Sequence, residues 1–402
     1  MKRTDRQIAP PAYIAALGLV NALGNSCSEV RARMLSGDTR GMTREGGWLA
    51  TGGDALVGRV RTPLPELPAR LSRYECRNNR LLLAALEQIG REVAATIAEF
   101  GHRRVGIVLG TSTSGIAEGE LAFEALRDTG ALPADFDYVC QEIGTPAVFL
   151  ARHLGLLGPA YTVSTACTSS AKALVSARML LASGTCDAVI AGGVDTLCRL
   201  TVSGFTSLES VSPGHSNPMS ANRRGINIGE AAALFLLTRS PTSHAVLGCG
   251  ESSDAYHVSA PHPEGRGAET AMRAALADAG VRPEAIGYIN LHGTATPKND
   301  EMESLAMQRV FPHAPPASST KPLTGHTLGA AGATEAAFCY LTLTDEEGRL
   351  PPHVWDGVAD PALPLLNLVR PGDRFGDGSR RVSMSNGFAF GGSNVSLILG
   401  EL

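Results

Sequence analysis

The chain has 402 residues, of which 44% are hydrophobic and 18% charged, so it can bury a large core as two or three domains or one duplicated unit. Its 35 basic and 39 acidic residues leave a formal net charge of -4, which excludes a globally basic nucleic-acid binder but not a local basic patch. No stretch approaches the ~20 apolar residues of a membrane span.

The start, residues 1–20, pairs a charged front with a short apolar run, as a secretory signal does. Pro10-Pro11 interrupts it and no clear cleavage site follows, so the stretch reads as a first strand ending in a turn. Residues 61–70 read as a surface loop. An apolar periodicity then predicts a helix over 80–100 and a strand over 103–110. The pattern continues with a strand at 160–165, a small-residue helix at 168–184, and strands at 187–193 and 232–238. A weak break falls near 241–248. Beyond it come a helix at 268–280, a strand at 285–291, a helix at 327–343, a loop at 345–380, and strands at 381–385 and 393–400. Short apolar strands alternating with small-residue helices argue an α/β architecture. The 45 glycines suit many tight turns and close backbone packing. None of the eight cysteines forms a CxxC pair, so a zinc or redox reading is weak, and reduced thiols in a cytoplasmic enzyme are expected.

Four segments carry chemistry. In AYTVSTACTSSAKALVSARMLLASG a strand runs into Cys167 and a helix begins at once. That placement predicts a nucleophile whose pKa is lowered by the helix dipole; a small buried core cysteine is the competing reading. In INLHGTATPKNDEMES, His292 stands where an apolar strand ends, a place where α/β folds put functional groups. In SSTKPLTGHTLGAAGATEAAF, His326 precedes a Gly/Ala-rich helix that must be closely packed. Glu335 interrupts that helix and needs a buried partner, for which Lys321 is the candidate. In SMSNGFAFGGSNVSLIL, Gly387, Gly391 and Gly392 flank Phe388 and Phe390 between two strands, either as a plain hairpin or as a loop that approaches a ligand.

Taken together, TACTSS, HGTATPKND, KPLTGHTLGAAGATEA and NGFAFGGSN resemble, in order and spacing, the motifs of the beta-ketoacyl-ACP synthases, condensing enzymes of the thiolase superfamily. The resemblance covers nearly the whole chain. It implies the thiolase fold: two similar halves, near 1–243 and 244–402, stacked as five layers in αβαβα order. It implies that Cys167 carries an acyl group as a thioester, and that malonyl-ACP loses carbon dioxide and attacks it. His292 and His326 would stabilise the enolate as neutral donors, and Lys321, with Glu335 as counter-charge, would hold them. The backbone N–H groups of Cys167 and Phe390 would form the oxyanion hole. Thr294 and Thr296 would bind the phosphopantetheine arm, and Phe388, Ala389, Phe390, Gly391 and Gly392 would form a gating loop. No metal or bound cofactor is implied, since the carrier protein delivers the phosphopantetheine.

The chain departs from the family where NPMSANRRGIN replaces the usual PFDxxRDGF: Met219, Ser220, Arg224 and Ile226 stand for Phe, Asp, Asp and Phe, which puts the local salt bridges and partner surface in question. Within the family, GMTREGGWL, SRYECRNNRLLLAAL and GINIGEAAALFL are most similar to the synthases of bacterial aryl polyene clusters. That likeness implies polyunsaturated aryl-acyl substrates and, as an alternative to the usual homodimer, a heterodimer with a chain-length-factor-like homologue. Primary fatty-acid elongation is the other reading. Non-catalytic chain-length factors share the fold but lack the cysteine present here. Arg73, Arg77 and Arg80 are candidates for a basic patch that docks the acidic carrier, against the reading of a solvated helix start. Ser112 and Thr113 are candidates for an acyl-pocket wall, against the reading that they satisfy a turn.

Overall fold

The computed structural model describes residues 10–376 and 380–402. The first part of the signal-like stretch and a piece of the 345–380 loop therefore lie outside the described residues. Ten strands form one continuous sheet made of two five-stranded halves. In the first half the strands are Ala12–Asn21, Val105–Gly110, Ala160–Val163, Ala188–Asp195 and Ala231–Thr238. In the second they are His244–Ser253, Tyr288–Asn290, Ala317–Ser318, Val382–Phe388 and Ser393–Glu401. Numbered within each half, both run in the spatial order third, second, fourth, fifth, first. In both, the second strand lies parallel to the third and fourth, and the fifth is antiparallel to its two neighbours. The halves meet at Ala12–Tyr13 against Ala245–Val246.

Strand alternation builds the layers. Along Ala231–Thr238, Ala233, Phe235 and Leu237 enter the central core, while Ala232, Leu234 and Leu236 enter an outer one. Period-two side chains thus feed two cores from one strand, which is why this strand reads as an unbroken apolar run. The helices Ser169–Ala182 and Ala331–Leu343 lie in the central core, between the two halves. Arg77–Glu87 and Thr145–Leu154 cover one outer face, and Arg266–Ala279 with Pro297–Val310 cover the other. This is the five-layer order the resemblance implies.

One expected helix is two. Residues 80–100 divide into Arg77–Glu87 and Gly90–Phe100. The break has a cause in Gln88, whose amide turns back to bond the backbone of Leu19 and Asn25. The apolar period runs through the interruption, so periodicity alone could not see it. A small second sheet, Met42–Gly46, Asp54–Gly58 and Ile228–Gly229, also escaped the sequence reading. It matters because it supports a catalytic turn.

Candidate active site

Cys167 sits between strand Ala160–Val163 and helix Ser169–Ala182. The turn is a sharp one: Ala166 has φ +53°, a left-handed conformation that costs a non-glycine residue energy and marks functional turns. Local bonds hold it, with the Thr165 N–H donating to Ser169 Oγ at 2.9 Å and Ser169 Oγ donating to Ala166 O at 2.6 Å. The helix start packs directly on the second strand, where a Cβ on Gly110 would lie 2.2 Å from Ser170 N; only glycine fits there.

The environment of the thiol corrects one expectation. Burial pushes the Cys167 thiol up to about 11, although Lys321 and the Phe390 N–H oppose the shift. Desolvation is the largest of these influences, and it favours a neutral thiol at rest. The Phe390 N–H favours the Cys167 thiolate, which sets that amide on the side of the sulfur where the assigned oxyanion hole needs it.

His326 Nε2 lies 3.0 Å from Cys167 Sγ. The His292 ring stands edge-on to His326 with centroids 5.5 Å apart. Both imidazoles are held well below the ordinary histidine pKa, first by burial and then by the Lys321 charge. Both are therefore neutral. Lys321, 2% exposed, donates to His292 O at 2.5 Å, reaches His292 Nδ1 at 3.3 Å, and is ion-paired to Glu335. An ammonium has three donors and no acceptor, so its contact with Nδ1 makes that nitrogen the acceptor and leaves His292 Nε2 carrying the proton. Burial raises the Glu335 carboxyl and Lys321 opposes that shift. The expected Lys321–Glu335 partnership is present.

Three buried carboxylates that the sequence reading left without a role hold the catalytic loops. Glu303 accepts from the His292 and Gly293 N–H groups at 2.8 and 2.7 Å. Asp300 accepts from Met219 N at 2.8 Å and Ala295 N at 3.2 Å. Burial raises them to about 7 and about 6 respectively. Their spacing of three on helix Pro297–Val310 puts both on one face, and that spacing was the available signal. Asp195 accepts from the Thr111 and Thr113 hydroxyls and from the Ser112, Thr113 and Gly329 N–H groups. It had no local signal, because its donors come from distant segments. The turn bearing His326 rests on the small sheet: the His326 N–H donates to Asn227 O, and the Gly229 N–H donates to His326 O.

Cys167, His292 and His326 open on one cavity of about 300 Å³, lined also by Thr294, Thr296, Phe388, Ala389 and Phe390. The Thr294 and Thr296 hydroxyls are 2.8 Å apart on its wall. The Phe390 ring rests on Phe205 at 5.5 Å, and Phe388 on His292 at 5.9 Å. Gly391 and Gly392 have φ +85° and +78°, so the loop needs glycine there. Gly387 has no such need: a Cβ there would meet only ordinary contacts.

Other expected residues lie elsewhere. Arg77 makes a bidentate pair with Glu230, which is fully buried, at 2.6 and 3.0 Å. Arg80 pairs with Glu75 at 2.5 Å, and Arg73 with Asp137 at 3.3 Å. Arg77 and Arg80 border a separate cleft that shares no residue with the catalytic cavity. Each of the three arginines is thus paired with a carboxylate of this chain, which lowers the free positive charge of the patch. Thr113 is fully buried on Asp195, and neither Ser112 nor Thr113 lines the catalytic cavity. The turn reading fits them, because their polar groups satisfy a loop.

Among the described residues, the three atoms His292 N, His326 N and Cys167 Sγ form the one His/Cys/acid group tight enough for a metal, lying within 4.8 Å of one another. No described helix is long and apolar enough to cross a membrane. The eight cysteines are unpaired.

Comparison with known proteins agrees with this geometry. The profile described as Beta-ketoacyl synthase, N-terminal domain, matches residues 76–243, and its C-terminal companion matches residues 244–354. A 3-oxoacyl-[acyl-carrier-protein] synthase 2 of Coxiella burnetii is 31% identical, over 97% of this chain and 98% of that protein. Among solved structures, the ketosynthase ApeO in complex with its chain length factor ApeC, from Xenorhabdus doucetiae, matches with TM-score 0.93 and 48% identity, over 98% of both chains. The ishigamide ketosynthase/chain length factor matches with TM-score 0.87 and 28% identity, over 98% of this chain and 99% of that one.

Proposed function

The chain belongs to the beta-ketoacyl synthase family, and from that premise we propose a division of labour among its residues and a pathway for its product. The enzyme is a beta-ketoacyl-ACP synthase. The observation that carries the reading is the contact of His326 Nε2 with Cys167 Sγ in one cavity with His292 and Lys321.

In the first half-reaction the Cys167 thiol gives its proton to His326 as sulfur attacks the acyl-ACP thioester. The carrier thiol leaves with a proton, and Cys167 holds the acyl group. The Cys167 and Phe390 N–H groups stabilise the tetrahedral oxyanion. In the second, malonyl-ACP loses carbon dioxide and its electron pair moves into an enolate. Neutral His292, donating from Nε2, and neutral His326, now in its Nε2–H tautomer, stabilise the enolate oxygen. The carbanion attacks the Cys167 thioester, the carbon–sulfur bond breaks, beta-ketoacyl-ACP leaves, and the Cys167 thiolate takes a proton from solvent to restore the thiol. Lys321, paired with Glu335, positions His292. Thr294 and Thr296 bind the phosphopantetheine arm, and residues 388–392 gate the cavity. The arm arrives with the carrier, so the chain needs no bound cofactor or metal.

We place the boundary between the halves at 243/244 and the enzyme in the cytoplasm. Its pathway is aryl polyene extension, a reading supported by the 48% identity to ApeO. Its second subunit is a chain-length-factor-like homologue. Strand Ala160–Val163 ends the sheet with a free edge among the described residues, and Leu121, Phe123 and Leu200 are 61%, 52% and 61% exposed, which suits a covered face. Intact-protein mass spectrometry after incubation with a panel of acyl-ACPs tests the reading. One acyl mass should appear on Cys167, and Cys167→Ala should lose both label and condensation, the latter by ~10⁴-fold or more. Product formation by the alanine variant near the wild-type rate would sink the assignment.

A further inference from the structure

The chain has only four lysines, Lys2, Lys172, Lys298 and Lys321. Among the described ones, Lys172 is ion-paired to Glu251 and Lys321 to Glu335. Lys298 is exposed, has no ion-pair partner among the described residues, and lines the cavity that ends at Cys167. The acidic residue of that cavity is Glu209, and no ion pair joins the two. A second exposed cation stands close in the fold. The Gly225 N–H donates to Ala295 O at 2.8 Å, which brings Arg224 beside the Thr294–Lys298 turn. Arg224 is exposed and has no ion-pair partner among the described residues, whereas its neighbour Arg223 is buried against Asp360 and Glu301. Ile226, two residues on, lines the cavity itself.

A cation at the cavity rim, with another on the adjoining turn, attracts an anion that ends there; Lys298 lines the cavity and Arg224 does not. Cys167 is 6% exposed, so a carrier-borne thioester must pass through the cavity to reach it. The arm inside offers amides and a hydroxyl, which suit Thr294 and Thr296. Its one charge is the phosphodiester at the outer end, where the arm joins the carrier. Resting on the synthase reading above, we infer that Lys298, with Arg224, holds the phosphate of the phosphopantetheine arm at the rim. The site takes a phosphate monoester or diester, and it stands at a position where the family's usual aspartate has given way to Arg224.

The test compares one short acyl group carried on pantetheine and on phosphopantetheine, reading single-turnover acylation of Cys167 by intact mass. The wild-type enzyme should take the phosphorylated donor about fivefold faster, the scale of one exposed ionic contact, and added salt should erase the difference. Lys298→Ala and Arg224→Ala should each lose discrimination through the phosphorylated donor alone, and Lys298→Arg should restore it. Full wild-type discrimination in either alanine variant, or equal slowing of both donors, overturns the two-cation site. A wild-type enzyme labelled by neither donor nor by acyl-ACP would instead defeat the synthase reading, so the two failures are distinct.

Discussion

In the first half of the molecule the third strand reaches its helix through residues 164–168, five positions holding Cys167. In the second half the same junction takes the twelve residues 319–330, which hold Lys321 and His326. The loops after the second strands differ in the same way. Thr111–Ser114 is closed on buried Asp195, while His292–Thr296 presents an imidazole and two hydroxyls to the cavity. A short junction fixes one sulfur at a helix start. A long junction has room to return charge toward that sulfur. The duplicated topology brings both junctions to one place, where Ala171 of one central helix faces Gly332 of the other. The first half thus supplies the covalent bond and the second supplies the electrostatics.

That contrast breaks most sharply at the two histidines. His292→Ala and His326→Ala should each lower condensation by ~10²–10³-fold, the scale of removing one donor to a developing oxyanion. They should differ in acylation, because only His326 touches the sulfur. His292→Ala should still be labelled by acyl-ACP near the wild-type rate, and His326→Ala markedly more slowly. Carbon dioxide release from malonyl-ACP, set beside the mass shift, separates the steps. Acylation lost in His292→Ala with decarboxylation intact would reverse the assignment.

The charge of the second half also has a stability signature. Removing one member of a buried ion pair strands the other, at a cost of about 3–5 kcal/mol. Lys321→Met should therefore destabilise strongly in chemical denaturation, and Lys321→Met/Glu335→Leu should recover most of the loss without recovering activity. A double variant no more stable than the single one would show that the pair's worth lies in its other contacts.

Much of this was legible in the sequence. Period-two and small-residue patterns gave the strands and central helices, and Glu335 inside a Gly/Ala helix called for Lys321. The unread parts share a physical reason: they depend on contacts between distant segments. Asp195 gathers donors from residues 111–113 and 329. Arg77 looks like a free cation until fold topology brings Glu230 to it. The upward push of burial on the Cys167 thiol went unread because the turn shows in sequence, while the depth of burial does not.

The thiol's protonation state separates the halves a third way. With Cys167 raised to about 11 and His326 depressed, the resting pair is thiol and neutral imidazole. The reactive thiolate fraction then grows about tenfold per pH unit below that value. Iodoacetamide inactivation should rise steadily from pH 7 to 9.5. A plateau between pH 6 and 8 would reveal a preformed thiolate–imidazolium pair, and with it a second half that charges the first before substrate arrives.

The smallest expected effect lies in the first half's own loop. Thr113 Oγ1 donates to Asp195 at 2.8 Å and accepts from the Thr196 N–H at 3.1 Å. Thr113→Val keeps the volume and removes both bonds. Asp195 retains four other donors, so the carboxylate stays solvated by the protein and the loss is confined to one charged hydrogen bond and one stranded amide. Destabilisation of about 2 kcal/mol is expected. Because the hydroxyl faces Asp195 and lies outside the catalytic cavity, the longest product should keep its length. Chain lengths read by mass spectrometry decide the point. A shortened or lengthened product from a variant of unchanged volume would mean that this hydroxyl meets the growing chain, and that the first half shapes the product as well as holding it.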